Sequence, residues 1–199
     1  IGKMDGIKIT ACHETGYPKN ICLKRFNSHR KLSKNIKAYL EKRKRPDIIY
    51  CAIPSLAVGK IVAQYAERNN VRFIIDVQDL WPEAFKMVFN IPIISNIIFY
   101  PMKREADYIY ARADDIVAVS ETYCNRALMV NKKVGQGLSV FLGTDLKYFD
   151  KCAEKNKVEF NDNMVRIAYI GTLGHSYDIP LVIDSIKYLN EKGINNLKF

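Results

Sequence analysis

The chain has no uninterrupted apolar run near the ~18 residues that a membrane-crossing helix needs, and the start of the given sequence shows no signal-peptide pattern. It also lacks any Cys-x-x-Cys spacing: Cys12, Cys22, Cys51, Cys124 and Cys152 are odd in number and widely scattered. That argues against a disulfide framework and for reduced thiols at a cytoplasmic address. His13, His29 and His175 share no ligand-like spacing with one another or with the cysteines, so no metal site is expected. There is a single tryptophan, no internal repeat and no low-complexity segment. A hydrophobic fraction of 48% over 199 residues is enough to supply a core for one large domain or parts of two.

Acidic residues are scarce in one place only. Residues 1–45 hold 13 Lys or Arg against Asp5, Glu14 and Glu41, whereas residues 46–199 hold 18 of each sign, so the first 45 residues carry the whole net charge of +10. Within them Ser33 to Arg45 is predicted as an amphipathic helix, with Ile36, Tyr39 and Leu40 on one stripe among lysines and arginines, stopped by Pro46. Residues 30–45 read either as a solvated helix face or as a surface for an anionic membrane, where each basic residue contributes on the order of 1 kcal/mol. No nucleic-acid partner is expected, because no recognition motif or dense aromatic interleaving accompanies the charge.

What is abundant is a repeated grammar of apolar strand, polar turn and helix. Ile48 to Ile53 leads through Pro54-Ser55 into a helical stretch from Leu56 to Arg68. Arg72 to Asp76 is a second strand, and Asp115 to Val119 a third, followed by a helix that Ser120 would cap. Leu138 to Leu142 gives way to Gly143-Thr-Asp145, and Val165 to Ile170 opens into Gly171-Thr-Leu-Gly174 ahead of a helix from about Asp178 to Lys192. Strands alternating with helices predict an α/β fold with a Rossmann-like, mostly parallel sheet and flanking helices.

In such sheets ligands sit beyond the carboxyl ends of the strands. The richest turn of that kind is Asp76-Val-Gln-Asp-Leu-Trp-Pro-Glu83, which holds carboxylates and the only tryptophan directly after a buried strand. Asp76 and Asp79 are the candidate catalytic residues, since a carboxylate can hold a ligand hydroxyl or take a proton from one. Gln78, Trp81, Glu83, Ser120 and Glu121 are candidate substrate contacts, the indole offering a flat apolar face on which a ligand could stack. Structural roles compete with these: Asp79 as a helix cap, Trp81 as core, Ser120 as an N-cap. Gly171, Thr172, Gly174 and His175 are candidates for holding a phosphate group, through backbone N–H groups and the start of the following helix. The competing role for the two glycines is a tight strand-to-helix turn.

Taken in order, Pro46-Asp-Ile-Ile-Tyr50, Asp-Leu-Trp-Pro-Glu83, Glu105 with Ala106-Asp107, Ala113 to Ser120, Gly143-Thr-Asp145 with Phe149, and Tyr169-Ile-Gly-Thr-Leu-Gly174 resemble the group 1 (family 4) retaining glycosyltransferases of the GT-B fold, in their bacterial surface-polysaccharide branch. The resemblance implies two Rossmann-like domains, of which residues 1–155 would be an acceptor-side domain without its first strand and glycine-rich loop. Residues 151–163 would be the link, and residues 164–199 the first βα unit of a donor-side domain, without the family's Glu-x7-Glu pair, so that by the resemblance the chain is a fragment expected to be inactive alone. It implies a nucleoside-diphosphate sugar as donor substrate, no separate cofactor, a saccharide or polyprenyl-diphosphate-linked acceptor, and a place on the inner face of the plasma membrane. Gln78 stands where some relatives have His, Leu142 where Asn often precedes the Gly, and Thr172, His175 and Asp178 where many have Arg and Lys. A non-enzymatic basic module for membranes or anions, and a sugar-nucleotide epimerase of GT-B fold, are the alternatives.

Overall fold

The computed structural model describes residues 2–4, 6–18, 22–53, 55–88, 91, 93–160, 162–174 and 177–199. They fall into two compact units, Ile1–Leu142 and Gly143–Phe199.

The first unit opens with an antiparallel hairpin, β1 (Gly2–Met4) and β2 (Ile7–Ile9). Then come α1 (Leu23–Glu41), β3 (Ile48–Ala52), α2 (Leu56–Asn69), β4 (Arg72–Val77), α3 (Glu83–Val88), α4 (Ile94–Arg112), β5 (Asp115–Ala118), α5 (Glu121–Leu128) and β6 (Leu138–Ser139). Strands β3-β4-β5-β6 lie side by side in that order, all parallel. This is a Rossmann-like α/β arrangement with helices as the crossovers.

The central strand explains the layering. In β4 Phe73, Ile75 and Val77 are at most 1% exposed, and Asp76, on the other face, is buried as well. A strand covered on both sides reads as a continuous apolar run rather than an alternating one, and each of the three side chains contributes about 1.5–3 kcal/mol by leaving water. Helix α2 packs close to the sheet at Gly59, where an added Cβ would lie 3.0 Å from both Ile53 and Ile109. Its end is set by Asn70 in the left-handed conformation, which closes the last turn.

The basic helix differs from its prediction. It starts at Leu23, ten residues ahead of Ser33, and ends at Glu41 instead of Arg45. Ile36 and Leu40 do pack on the core, and Tyr39 donates its hydroxyl to Thr10 Oγ1 at 3.2 Å. The early turns have no sequence mark: Cys22 at the N-cap makes no capping hydrogen bond from its side chain, and the first turn holds no acid.

The second unit contains α6 (Leu146–Lys155), β7 (Val165–Arg166), α7 (Ile179–Glu191) and β8 (Leu197–Lys198), with β7 and β8 parallel across the α7 crossover. Helix α6 runs through the first five residues of the expected 151–163 link, started by Asp145, whose carboxylate accepts from Tyr148 N at 3.0 Å. Strand β7 is shorter than the expected Val165–Ile170: Ile167 still donates to Lys198 O, but Ile170 is 97% exposed. Neither α6 nor α7 has a buried residue.

Candidate functional site

The carboxyl ends of the four parallel strands define one edge of the first unit, and the backbone ladder runs out to it. Ile53 N–H donates to Asp76 O, Val119 N–H to Val77 O and Val140 N–H to Ala118 O. Asp76 therefore sits between Ala52 and Val117 in the sheet, and Gln78 and Asp79 lie just past the end of β4. Ser120 and Glu121 follow the end of β5.

Asp76 is 9% exposed, and its carboxylate is held by a donor. Gln78 Nε2 donates to Asp76 Oδ2 at 2.7 Å. The Tyr50 phenol, on β3, feels the Asp76 carboxylate. Burial raises the phenol above its ordinary value first, and the carboxylate adds to that. A buried carboxylate at the carboxyl end of a parallel strand, with one oxygen taken by Gln78, keeps lone pairs that can accept a hydrogen bond from a ligand.

The rest of the turn is used differently. Trp81 Nε1 donates to Asp79 Oδ2 at 3.0 Å, so Asp79 fixes the indole and does not cap α3. Trp81 is 5% exposed. The His29 ring stacks with it at 6.1 Å and 21°, Phe85 meets it edge-on at 4.9 Å, and the Arg25 guanidinium lies 4.5 Å from its ring centre. The indole is thus packed by protein groups and offers no open face to a pyranose, which corrects the expectation of a stacking platform. Glu83 is likewise engaged: its Oε1 accepts from Arg126 Nε at 2.6 Å, and its Oε2 is buried without a partner. Arg126 also donates to Asp107 Oδ1 at 2.7 Å. Glu83 therefore joins α3 to α5 and α4 and is not a free substrate contact. Ser120 caps α5, its Oγ accepting from Tyr123 N at 3.3 Å, and Glu121 is exposed in the first turn of that helix.

Residues that the sequence did not single out complete this edge. His29 and Arg25, one turn apart on α1, flank the indole, with Tyr17 edge-on to His29 at 5.8 Å. His29 is 8% exposed, and its imidazole is held below its ordinary value, chiefly by burial and then by the Arg25 charge. Their i, i+4 spacing was visible, but residues 23–32 had not been read as helix. Beside them a cleft of about 450 Å³ runs between α1, α2 and α4, with Arg30, Lys60, Glu105, His29 and Trp81 on its walls. Lys60 and Glu105 are ion-paired across it at 2.8 Å. Among the described residues Trp81 is the only sequence-derived candidate that lines this cleft.

In the second unit the glycine turn has an internal explanation. A Cβ on Gly171 would fall 2.6 Å from the Tyr169 hydroxyl, which donates to Thr172 O at 2.9 Å. Gly174 N–H is given to Thr172 O. Helix α7 starts at Ile179, and Asp178 caps it, accepting from Leu181 N at 3.2 Å. The helix start thus falls within a residue of its expected place, and Gly174 lines a small pocket with Asp178 and Ile179, but the Asp178 carboxylate at that helix start would repel a phosphate. His175 lies outside the described residues. The described residues contain no cluster of His, Cys, Asp and Glu suited to a metal ion, and no helix among them is long and apolar enough to cross a membrane. No model of a known protein family matches the chain, and no curated protein does.

Proposed function

We propose that this chain works in sugar transfer, as the acceptor side of a retaining glycosyltransferase of GT-B type that takes its sugar from a nucleoside diphosphate. The observation that carries the reading is Asp76. It is a buried carboxylate at the carboxyl-end edge of a parallel Rossmann-like sheet, held by Gln78 with the Tyr50 phenol nearby. It also opens the Asp-Val-Gln-Asp-Leu-Trp-Pro-Glu83 sequence on which the resemblance rests.

In the transfer the bond from the anomeric carbon to the diphosphate oxygen breaks, a bond to the acceptor oxygen forms, and the acceptor hydroxyl gives up its proton. Asp76 is assigned to that hydroxyl, as its hydrogen-bond acceptor and base. Gln78 orients the carboxylate. Asp79, Trp81, Glu83 and Arg126 are positioning residues that keep the turn in place. The acceptor assigned is a saccharide or polyprenyl-diphosphate-linked glycan at the inner face of a membrane, with the basic residues 30–45 toward anionic lipid.

The experiment is a panel assay. The protein expressed from its own gene is incubated with lipid extract of its source and labelled nucleoside-diphosphate sugars, and the anomeric configuration of any product is read by NMR. The reading expects one donor to be consumed with retained configuration. Consumption of none, or an inverted product, overturns it. Epimerisation of a free sugar nucleotide in the same tubes would instead favour the epimerase.

A further inference from the structure

The start of α4 presents an apolar surface that no described residue of the first unit covers. Ile91, Ile93, Ile94, Ile97, Ile98 and Tyr100 are 45–74% exposed. Ile94, Ile97 and Ile98 stand at i, i+3 and i+4 and so share one helix face. Met102, one turn beyond Ile98, lines the cleft described above, and Phe26 of α1 lines it from the other side. Phe26 is 41% exposed, and Leu23, one turn earlier on α1, is 83% exposed. The apolar surface thus reaches from α4 across the mouth of the cleft to the start of α1.

The charges around it are mostly basic, with Lys103 paired to Asp107 and Glu105 of the cleft paired to Lys60. From Ala84 to Arg104 the chain carries Lys86, Lys103 and Arg104 and no acidic residue. Lys86 gives its Nζ to the neutral Asn96 Oδ1 at 2.7 Å and keeps its charge uncompensated there. Helix α1 carries Lys24, Arg25, Arg30, Lys31, Lys34 and Lys37 against Glu41 alone. Among the described residues Lys24, Arg30, Lys31 and Lys34 have no ion-pair partner.

An exposed isoleucine face with a basic rim fits an anionic lipid surface, where apolar side chains enter the acyl boundary and cations hold the headgroups. A second copy of the chain fits poorly, because a symmetric interface would bring the two basic rims together. We infer that the amino-terminal half of α4 inserts into the surface of an anionic bilayer, with Ile94, Ile97 and Ile98 as the inserted side chains and the α1 lysines as the electrostatic contact. The helix lies in the interface and does not span it. This goes beyond the basic segment 30–45 by making α4 the anchor, and it does not depend on sugar transfer.

The test uses the protein with phosphatidylcholine vesicles, with and without phosphatidylglycerol, and no nucleotide sugar, so its outcome is separate from that of the transfer assay. Binding is read by vesicle sedimentation at low and high salt. The wild type is expected to sediment only with the anionic vesicles. The exposed pair Ile97→Ser/Ile98→Ser should lower partitioning by about tenfold or more, with urea unfolding unchanged. Lys31→Gln/Lys34→Gln should lower it by about fivefold per residue at low salt, from the usual contribution of a basic residue near anionic lipid. Equal binding by the isoleucine variant, equal binding to neutral vesicles, or no wild-type binding overturns the inference. So does wild-type self-association in sedimentation equilibrium that the isoleucine variant abolishes, since the occupant would then be a second copy.

Discussion

Replacing Arg126 with methionine should loosen the candidate edge of the first unit by a predictable amount. The guanidinium is 12% exposed and ties Glu83 at the start of α3 to Asp107 on α4, at 2.6 and 2.7 Å. Removing one partner of a buried ion pair costs about 3–5 kcal/mol, because the remaining charge stays desolvated. Here the Glu83 and Asp107 side chains are 37% and 24% exposed, and Asp107 keeps Lys103 at 2.6 Å. Solvent screening and that second partner reduce the expectation to about 1.5–3 kcal/mol, or a fall in Tm of roughly 3–12 °C for a chain of this size. The assay is urea unfolding followed by the fluorescence of Trp81, the only tryptophan, which sits in the same unit. The pH dependence gives a second reading. Burial acts to raise the Asp107 carboxyl, but the bonds from Lys103 and Arg126 outweigh it and hold the group below its ordinary value. A carboxyl depressed in the folded state stabilises fully above its unfolded value of about 4 and loses that stabilisation as pH falls through the folded one. In Arg126→Met that depression shrinks, so Asp107 should lose less stability on acidification and the acid limb should be shallower than in the wild type. A change below about 0.5 kcal/mol, a size typical of exposed surface pairs, with an unshifted acid limb, would refute the view that this arginine holds the edge together.

Two further outcomes follow from the same edge and from the base of the unit. Asn131, 5% exposed, donates to Tyr110 O and Ala113 O and accepts from Lys133 N and Val134 N, all between 2.7 and 2.9 Å. Asn131→Ala orphans those four groups and should cost about 2–4 kcal/mol in urea unfolding; a loss under about 1 kcal/mol, the net value of a single hydrogen bond, contradicts the accounting. His29 should titrate below the ordinary histidine value in NMR, because burial and Arg25 disfavour its charged form. Its contribution to stability is then full above pH 6.5 and falls as acid protonates the unfolded chain first, and His29→Gln should flatten that limb.

The α/β order was legible because β4 and α2 carry strong local signals: an apolar run covered on both faces, and an amphipathic stripe beginning after Pro54-Ser55. Asp76 and Gln78 were placed at the sheet edge by that order alone. What stayed hidden depends on partners distant in sequence. Trp81 reads as an open platform until α1 brings His29 and Arg25 against it, and Glu83 reads as a free carboxylate until Arg126 arrives from α5. The first ten residues of α1 lack a capping side chain and a regular apolar stripe, and α6 is mostly polar with its large apolar residues exposed. Gly171 illustrates a further limit. A glycine that admits a neighbouring tyrosine ring and one that admits a phosphate look the same in sequence.

The most direct test of the account is kcat for Asp76→Asn, measured with the donor found in the panel assay and with folding checked by urea unfolding. If Asp76 accepts the acceptor's proton, turnover should fall by about a hundredfold or more while the unfolding midpoint changes little. Wild-type turnover in a folded Asp76→Asn protein would contradict the assignment of this edge as the site of sugar transfer.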